Sequence, residues 1–311
     1  MINSKSFAST LQLYSEPNSR RLFKARRQEM ESVEIRTQTA VALATTTGMQ
    51  RNCTVYSFQI RPKSAIDMNG EWTLNKRYSE VAAFRSTLLR LVRHWEERLE
   101  GLDKAHSREF EIVSNVVRRP IAPNFPRKHV RGDNSEIVTE RRHGLRYFVR
   151  KLLDTYVDLS VYLYNNPPSD DATLEELREI YDKIEKFLEV PPVQKELERR
   201  QLAAVLALED VADENISPDH CYADDEHPER TCCICLDDYE CEADEQDAFN
   251  AILLADIEPE TLGRDKMVKL PCGHHFHEDC VIEWFNTSIT CPLCRKEVIA
   301  DERLSFDVTM S

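Results

Sequence analysis

The chain has 311 residues, 10 cysteines and a formal net charge of −14, and its length allows about two domains. No run of about 18 apolar residues predicts a membrane span, and the segment "MINSKSFAST" lacks the basic and apolar regions of a secretory signal. We therefore expect a reducing compartment, in which the cysteines bind metal or remain free thiols instead of forming a disulfide framework.

The negative charge is concentrated in the last third of the chain. Residues 193–311 carry 10 Lys/Arg and 29 Asp/Glu, whereas residues 118–151 carry ten basic and three acidic side chains. The local basic window predicts an anionic partner, and the acidic second half argues against nucleic acid, because phosphates would be repelled there. Residues 1–30, with six basic and two acidic side chains, are predicted to form a basic flexible arm.

Alternating apolar and β-branched residues predict three β-strands, in "ESVEIRTQTAV", "TVYSFQI" and "EWTLNKRY". Together they predict a three-stranded antiparallel sheet. Apolar residues then recur every three or four positions over residues 81–99, 138–156 and 174–187, which predicts three helices. Between the first two helices, "PIAPNFP" has prolines at three-residue spacing, which is typical of a polyproline II segment.

This arrangement resembles a PX (phox homology) domain over residues 31–192, with "KRYSEV" closing the third strand and "ERRHGLRYF" opening a helix. The resemblance implies a phosphoinositide ligand, most often phosphatidylinositol 3-phosphate. By motif position it implies that Arg77 binds the 3-phosphate and that Tyr78 stacks on the inositol ring. It further implies that Lys128 binds the 1-phosphate and Arg141 the ring hydroxyls. Arginine suits this chemistry because its planar fork donates two hydrogen bonds in parallel.

The sequence departs from the PX pattern at three places. Val81 stands where the family usually has phenylalanine, residues 101–119 lengthen the path to the prolines, and Val130 is the main bulky apolar residue in 129–135 that could enter a bilayer. We therefore expect weak membrane binding that needs a second contact. Two alternatives stay open: the basic window is a solvated helix face, or the PxxP segment is a ligand for an SH3 domain.

A connecting segment follows the first domain. The sequence "VQKELERRQLAAVLALEDV" predicts a linker helix over residues 193–212, and residues 213–230 predict an acidic linker. The apolar side chains of the helix form a partial stripe. We expect this stripe to pack on the preceding domain, with formation of a homodimer as the alternative.

Eight cysteines and histidines in the last third have the spacing of metal ligands. They are Cys232, Cys235, Cys272, His274, His277, Cys280, Cys291 and Cys294. A Cys-x-x-Cys pair forms a tight turn that directs two thiolates at one ion, and zinc takes four such ligands. Eight ligands therefore predict two Zn²⁺ sites, with buried free thiols as the alternative.

This spacing resembles a RING finger of the H2 type over residues 231–296. The resemblance implies interleaved pairs, with one zinc bound by Cys232, Cys235, His277 and Cys280, and the other by Cys272, His274, Cys291 and Cys294. It leaves His275 outside the ligand set, although an exchange of His275 for His274 stays open. Four further cysteines have no partner in register and are expected to be semi-buried non-ligands: Cys53, Cys221, Cys233 and Cys241.

RING domains bind a ubiquitin-charged conjugating enzyme (E2) and favour ubiquitin transfer to a substrate lysine. The E2-facing positions of the family correspond here to Ile234, Trp284 and Pro292, which would form an apolar groove. Arg295 matches the residue that contacts both E2 and ubiquitin and acts by positioning. The alternatives are Trp284 as a core residue and Arg295 as an ordinary surface charge.

The gap between the second and third ligand pairs is long for this family. We expect an acidic insertion over residues 237–262 with a short helix in "AFNAILLADIEPETL", then a strand in "MVKL", and a tail over residues 297–311.

The sequence thus predicts an α+β protein with a PX domain and a small cross-brace zinc domain. It favours a phosphoinositide-targeted RING-type E3 ubiquitin ligase that is cytoplasmic and peripheral on endosomal membranes. Its partners would be an E2, ubiquitin and a protein substrate, without nucleic acid. The alternative is a sorting-nexin-like membrane adaptor whose zinc module only binds a protein.

Overall fold

The computed structural model describes residues 17–46, 49–62, 70–100, 108–121, 125–129, 133–165, 171–211, 232–236 and 266–298. The chain divides into two compact units, residues 1–196 and residues 197–311. Among the helices described, none combines the length and the apolar character that crossing a membrane requires. The acidic linker 213–230, the insertion 237–262 and the tail from residue 299 onward lie outside the described residues.

The first unit contains the predicted antiparallel sheet. Its strands are β1 (Glu34–Thr46), β2 (Met49–Arg61) and β3 (Trp72–Arg77), in the order β1-β2-β3. Strand β3 pairs with the second half of β2, from Ile60 opposite Trp72 to Val55 opposite Arg77. The alternation of side chains in β2 therefore buries one face of the sheet, with Tyr56, Phe58 and Ile60 fully enclosed.

Helices pack against this sheet and against one another. They are α1 (Pro17–Ser32), α2 (Tyr78–Glu100), α3 (Arg108–Arg118), α4 (Ser135–Asn165) and α5 (Asp171–Leu188), with a 3₁₀ turn at Arg119–Ile121. Each of the three predicted helices supplies buried side chains to a common core, including Leu88 and Trp95, Leu145 and Leu152, and Ile180 and Ile184. The predicted fold class and the three-stranded sheet are confirmed.

The prediction of a loose basic arm over residues 1–30 is wrong for residues 17–30, which belong to α1. Leu22 and Phe23 are buried, and so is Arg26, which pairs with Glu29. Where this helix ends, the Arg150 guanidinium donates hydrogen bonds to the carbonyl groups of Met30 and Val33. A count of basic residues missed this arrangement because several of them are paired within the helix.

The path between α2 and α4 also differs from the expectation. Residues 108–118 form a helix, and Pro120 lies buried in the 3₁₀ turn and not in a polyproline II segment. Residues 122–124 lie outside the described part, and residues 125–129 run without regular secondary structure.

The second unit joins the end of the linker helix to the zinc-ligand region. Helix α6 (Pro192–Leu206) begins in the first unit, and its residues from 197 onward belong to the second. Strands β4 (Glu209–Asp210), β5 (Met267–Lys269) and β6 (His275–His277) form an antiparallel sheet in that order, and α7 (Glu278–Phe285) follows. The predicted strand in "MVKL" is therefore present as β5.

The second half of the linker helix differs from the prediction. It ends at Leu206 and not at residue 212, and Val205 and Leu208 are buried within the second unit. Residues 209–210 add an edge strand beside β5. Residues 197–208 thus belong to the same compact unit as the zinc ligands and not to the first unit, on which the stripe was expected to pack.

Candidate zinc sites and anion-binding surface

The two Cys-x-x-Cys pairs fold into equivalent turns. The Leu236 amide donates to the Cys232 carbonyl at 2.7 Å, and the Arg295 amide donates to the Cys291 carbonyl at 2.9 Å. Leu236 and Arg295 both have positive φ angles, 66° and 59°. This conformation costs about 1–2 kcal/mol for a residue other than glycine, so the surroundings must hold these turns in place.

A third turn separates Cys272 from His274. Gly273 has a φ of 91°, which glycine adopts without strain, and its amide donates to the Leu270 carbonyl at 2.8 Å. The Leu270 amide donates in turn to the His274 carbonyl at 2.9 Å. This closed turn brings the Cys272 Sγ atom to 3.3 Å from the His274 Nδ1 atom.

The eight predicted ligands form two groups of four. In each group all ligand atoms lie within 4.8 Å of one another, and the groups are Cys232, Cys235, His277 and Cys280, and Cys272, His274, Cys291 and Cys294. Tetrahedral zinc with ordinary Zn–S and Zn–N bonds would hold its ligand atoms about 3.5–3.8 Å apart. The His277 Nδ1 atom lies 3.2 Å and 4.0 Å from two Sγ atoms, and the His274 Nδ1 atom lies 3.3 Å and 3.6 Å from two others. These distances suit two zinc ions.

The protonation of the thiols also fits a cation site. Burial raises the pKa of Cys280 above its usual value, and the nearby Cys232 and Cys235 add to this effect. Burial likewise raises the pKa of Cys291 to about 11, despite backbone amides that favour the thiolate. The pKa of Cys232 is lowered despite its burial, because backbone amides donate to it, and backbone amides also lower the pKa of Cys294. Zinc binding would release the protons that Cys280 and Cys291 retain.

The residues that the sequence interpretation left out of the ligand set lie outside both groups. His275 is in β6 opposite Lys269, and Cys233 is exposed in the first turn. Cys53 is half-buried in β2. Cys221 and Cys241 lie outside the described residues.

Trp284 connects the two groups of ligands. It lies one helical turn after Cys280 on α7, and its indole Nε1 atom donates to the Thr290 carbonyl at 2.8 Å. Thr290 directly precedes Cys291, the first residue of the second Cys-x-x-Cys turn. The indole is half-buried, so Trp284 contributes both to the small core and to the surface.

Apolar side chains project from both Cys-x-x-Cys turns. Ile234 and Pro292 are half-buried, and Arg295 is exposed. Leu236 and Leu293 are 75% and 54% exposed, which is unusual for large apolar side chains. The sequence interpretation missed these two leucines, although an apolar residue in a tight surface turn was a usable signal.

Helix α6 supports the end of the helix that carries Trp284. The buried Gln201 side chain donates from Nε2 to the Asn286 Oδ1 atom at 2.7 Å. Asn286 caps α7, because its amide bonds back to carbonyl groups of Glu283 and Trp284. No local sequence pattern signals this contact, since its partners are 85 residues apart.

In the first unit, Arg77 and Tyr78 lie at the junction of β3 and α2. The Glu80 carboxylate accepts hydrogen bonds from the Arg77 amide at 2.6 Å and from Arg77 Nη2 at 3.1 Å. Partial burial opposes ionisation of Glu80, but its bonds to Arg77 outweigh burial, and the pKa of Glu80 lies below its usual value. The same hydrogen bond raises the pKa of Arg77. The Arg77 side chain is half-exposed, and so is the side chain of its ion-pair partner Glu80.

Arg141 on α4 completes a cluster with Tyr78. Its guanidinium carbon lies 4.0 Å from the centre of the Tyr78 ring, which is a cation–π contact. The guanidinium is also ion-paired with Asp133, whose second carboxylate oxygen accepts from the Thr54 hydroxyl at 2.8 Å. The Tyr78 hydroxyl donates to the Pro126 carbonyl at 2.9 Å.

Lys128 is exposed on the segment 125–129 that is attached to this cluster. Pro126 accepts the hydrogen bond from Tyr78, and His129 lies 3.4 Å from the Glu140 carboxylate, next to Arg141. Gly144 makes room for the segment, because a Cβ atom there would lie 2.6 Å from Pro126 Cγ. The structure thus brings three predicted residues, Arg77, Tyr78 and Arg141, to one place and holds Lys128 beside it.

Comparison with known protein families finds two matches, a PX domain at residues 64–162 and a Ring finger domain at residues 260–295. The second match begins after the first Cys-x-x-Cys pair, which the structure nevertheless places with His277 and Cys280. The long insertion between them separates the pair from the rest of the pattern.

Similar curated proteins match over short segments. E3 ubiquitin-protein ligase Iruka of Drosophila melanogaster is 52% identical over 33 residues, which cover 11% of this chain and 9% of that protein. E3 ubiquitin-protein ligase At1g63170 of Arabidopsis thaliana is 34% identical over 73 residues, covering 24% and 13%. RING finger protein 122 of Homo sapiens is 28% identical over 79 residues, covering 25% and 37%.

The chain thus spans well under half the length of each of these three relatives, and no solved structure matches it significantly. The two family matches, the α+β sheet and helices, and the two ligand groups agree with one another. The chain therefore contains a PX domain followed by a RING-H2 finger, which is suited to bind two zinc ions.

Proposed function

We propose that this protein is a RING-type E3 ubiquitin ligase that phosphoinositides recruit to membranes. The observation that carries the ligase activity is the combination of two four-ligand groups with apolar side chains on the turns that the ligands form. Ile234, Trp284 and Pro292 would contact the E2, and Arg295 would contact both E2 and ubiquitin. The names of the relatives from Drosophila melanogaster and Arabidopsis thaliana support the same activity.

The two zinc ions would be structural. Each group supplies four protein ligands, Cys232, Cys235, His277 and Cys280 to the first ion, and Cys272, His274, Cys291 and Cys294 to the second. A zinc ion with four protein ligands has no open position for a substrate. The ions would hold the turns in place, and the protein surface would bind the E2 and ubiquitin.

Ubiquitin transfer would then depend on positioning. The apolar groove would bind the E2, and the guanidinium of Arg295 would hold the ubiquitin thioester in one orientation for attack by a lysine amine. The Arg295 backbone is held in its left-handed conformation by the hydrogen bond to the Cys291 carbonyl. The side chain therefore starts from a fixed point beside the second zinc group.

The PX domain supports peripheral membrane association, and we propose phosphatidylinositol 3-phosphate on endosomes as the ligand. Arg77 would exchange Glu80 for the 3-phosphate, Tyr78 would pack on the inositol ring and Lys128 would reach the 1-phosphate. Arg141 would donate to ring hydroxyls. The exchange at Arg77 costs little, because exposed ion pairs contribute only about 0–1 kcal/mol.

The ligase activity is tested with the full chain, ubiquitin-activating enzyme, a panel of E2 enzymes, ATP and ubiquitin. We expect ubiquitin chains or conjugates with at least one E2. Ile234→Ala or Trp284→Ala should abolish transfer while two zinc ions remain bound. The matched control is Val193→Ala, an exposed apolar residue on α6 that should have no effect. A chain that binds an E2 but transfers no ubiquitin would be the adaptor.

Membrane targeting is tested by sedimentation with vesicles that contain phosphatidylinositol 3-phosphate. Loss of a charged hydrogen-bond partner costs roughly 1.5–3 kcal/mol, or about 10- to 150-fold in affinity. Arg77→Gln should show a loss of this size. Arg90→Gln removes the same charge from an exposed position on α2 and should change little. Equal losses in both variants would reduce the site to diffuse attraction between a basic face and an anionic surface.

A further inference from the structure

The two arginines of the PX cluster differ in how firmly their charge is already neutralised. The Arg77 side chain is 42% exposed and its partner Glu80 is 43% exposed. The Arg141 side chain is only 6% exposed, and it is ion-paired with Asp133. Solvent screens the first pair, so a phosphate can replace Glu80 there. In the second pair the Arg141 side chain is shielded from water although Asp133 is 28% exposed, and separation of the pair would leave the buried guanidinium without its partner.

Asp133 is itself held in place from two sides. One carboxylate oxygen accepts from Arg141 and the other accepts from the Thr54 hydroxyl at 2.8 Å. Thr54 lies on β2 and Arg141 on α4, so the carboxylate joins the sheet to the helix. An anion fixed in this way contributes a persistent negative charge beside Tyr78.

Two buried polar atoms in the same cluster lack a hydrogen-bond partner among the described residues. They are the Nε atom of Arg141 and the hydroxyl oxygen of Tyr56. Arg141 and Tyr56 are 5% and 0% exposed. Burial raises the pKa of Tyr56, although the nearby Arg141 opposes this, so the hydroxyl stays neutral. Both atoms are enclosed by the protein, and the interaction of the Tyr56 hydroxyl with Arg141 helps to fix the buried guanidinium in place.

We propose that Asp133 determines headgroup selectivity at this site: it neutralises Arg141, so that this corner accepts inositol hydroxyls and rejects a further ring phosphate. The inference rests on the proposed phosphoinositide binding. A monophosphorylated ring places its phosphate at Arg77 and its hydroxyls at Arg141. An additional phosphate near Arg141 meets the Asp133 carboxylate, and the two negative charges repel each other, with partial screening by the solvent at the exposed side of Asp133.

The test uses the full chain and soluble headgroups in titration calorimetry. Inositol 1,3-bisphosphate represents the monophosphorylated lipid, and inositol 1,3,4-trisphosphate carries one more ring phosphate. The wild-type chain should prefer the first. Asp133→Asn keeps the size and the hydrogen-bonding oxygen of the side chain but removes its charge. We expect the trisphosphate affinity to rise about tenfold or more, and the bisphosphate affinity to change by less than about threefold.

The matched control is Glu140→Gln, which removes one negative charge next to Arg141 in sequence, where Glu140 pairs with His129 instead. This variant should raise the affinity for both headgroups by one small factor. Thr54→Val removes the second hydrogen bond to Asp133 but keeps the charge, so selectivity should persist. Circular dichroism confirms that each variant is folded.

Three results would overturn the inference. Asp133→Asn could raise both affinities by the same factor as Glu140→Gln, which would make the effect one of net charge. Thr54→Val could lose selectivity as fully as Asp133→Asn, which would assign selectivity to the shape of the segment and not to the charge. The wild-type chain could bind both headgroups with equal affinity, which would leave Asp133 without a selectivity to determine. If the wild-type chain binds neither headgroup nor vesicles, the proposed phosphoinositide binding itself fails.

Discussion

Gly144 on α4 offers a direct test of how the PX segment 125–129 is positioned. A Cβ atom at this residue would lie 2.6 Å from Pro126 Cγ and 2.7 Å from Pro126 Cδ, where ordinary contacts are 3.4–4 Å. The proline ring would therefore have to withdraw by about 1 Å, and overpacking of this kind typically costs about 1–3 kcal/mol. Alanine gains about 1 kcal/mol over glycine in a helix interior, so the two effects oppose each other.

We predict that Gly144→Ala lowers the free energy of unfolding by up to about 2 kcal/mol. It should also weaken vesicle binding, because Pro126 would move away from the Tyr78 hydroxyl. Loss of that one hydrogen bond corresponds to about 2- to 10-fold in affinity. The assays are urea denaturation of residues 1–196 and sedimentation of the full chain with vesicles containing phosphatidylinositol 3-phosphate.

The control for this prediction is Thr139→Ala on the same helix, at an exposed position. Without a clash, this change should stabilise the unit by about 0.5 kcal/mol and leave vesicle binding unchanged. If Gly144→Ala instead raises the free energy of unfolding by about 1 kcal/mol and the variant binds vesicles normally, helix propensity alone decides the outcome. The close contact with Pro126 would then be incorrect.

Three further predictions concern the RING unit. The free energy of unfolding of a fragment of residues 197–300 should exceed that of a fragment of residues 225–300 by about 3 kcal/mol, because the longer fragment buries Val205 and Leu208. Chelator should unfold both fragments. Equal free energies of unfolding would contradict the role of α6. Leu236→Gly should stabilise the zinc-loaded fragment by up to about 1 kcal/mol in thermal unfolding, because glycine adopts the positive φ angle without strain. A loss of stability would show that the leucine side chain supports the fold. His275→Ala should leave two zinc ions bound by mass spectrometry, whereas His277→Ala should lower the count; one ion in the His275 variant would refute the ligand set.

The sequence predicted the zinc groups well for a physical reason. Each pair of ligands lies within a few residues, so local spacing identifies the pairs, and the resemblance to the RING family supplied which pairs share an ion. The sheet and main helices of the PX domain were likewise visible, because burial of one face imposes a period on the sequence.

Long-range contacts were not visible in the sequence. Gln201 supports the end of α7 through Asn286, which is 85 residues away. Motif position assigned Arg141 to the ring hydroxyls but gave no sign of its pairing with Asp133, eight residues earlier. The basic composition of residues 17–30 suggested an arm, but Arg26 and Arg27 are ion-paired and the apolar side chains of Leu22 and Phe23 are buried.

The central claim is that the RING finger promotes ubiquitin transfer by positioning the thioester. The most direct measurement is single-turnover discharge of a ubiquitin-charged E2 to free lysine, with E2 affinity measured in parallel. We predict that the full chain accelerates discharge, and that Arg295→Ala reduces this rate about tenfold or more while changing E2 affinity by less than about threefold. Equal losses of rate and affinity in Arg295→Ala, or no acceleration by a wild-type chain that binds the E2, would contradict the account.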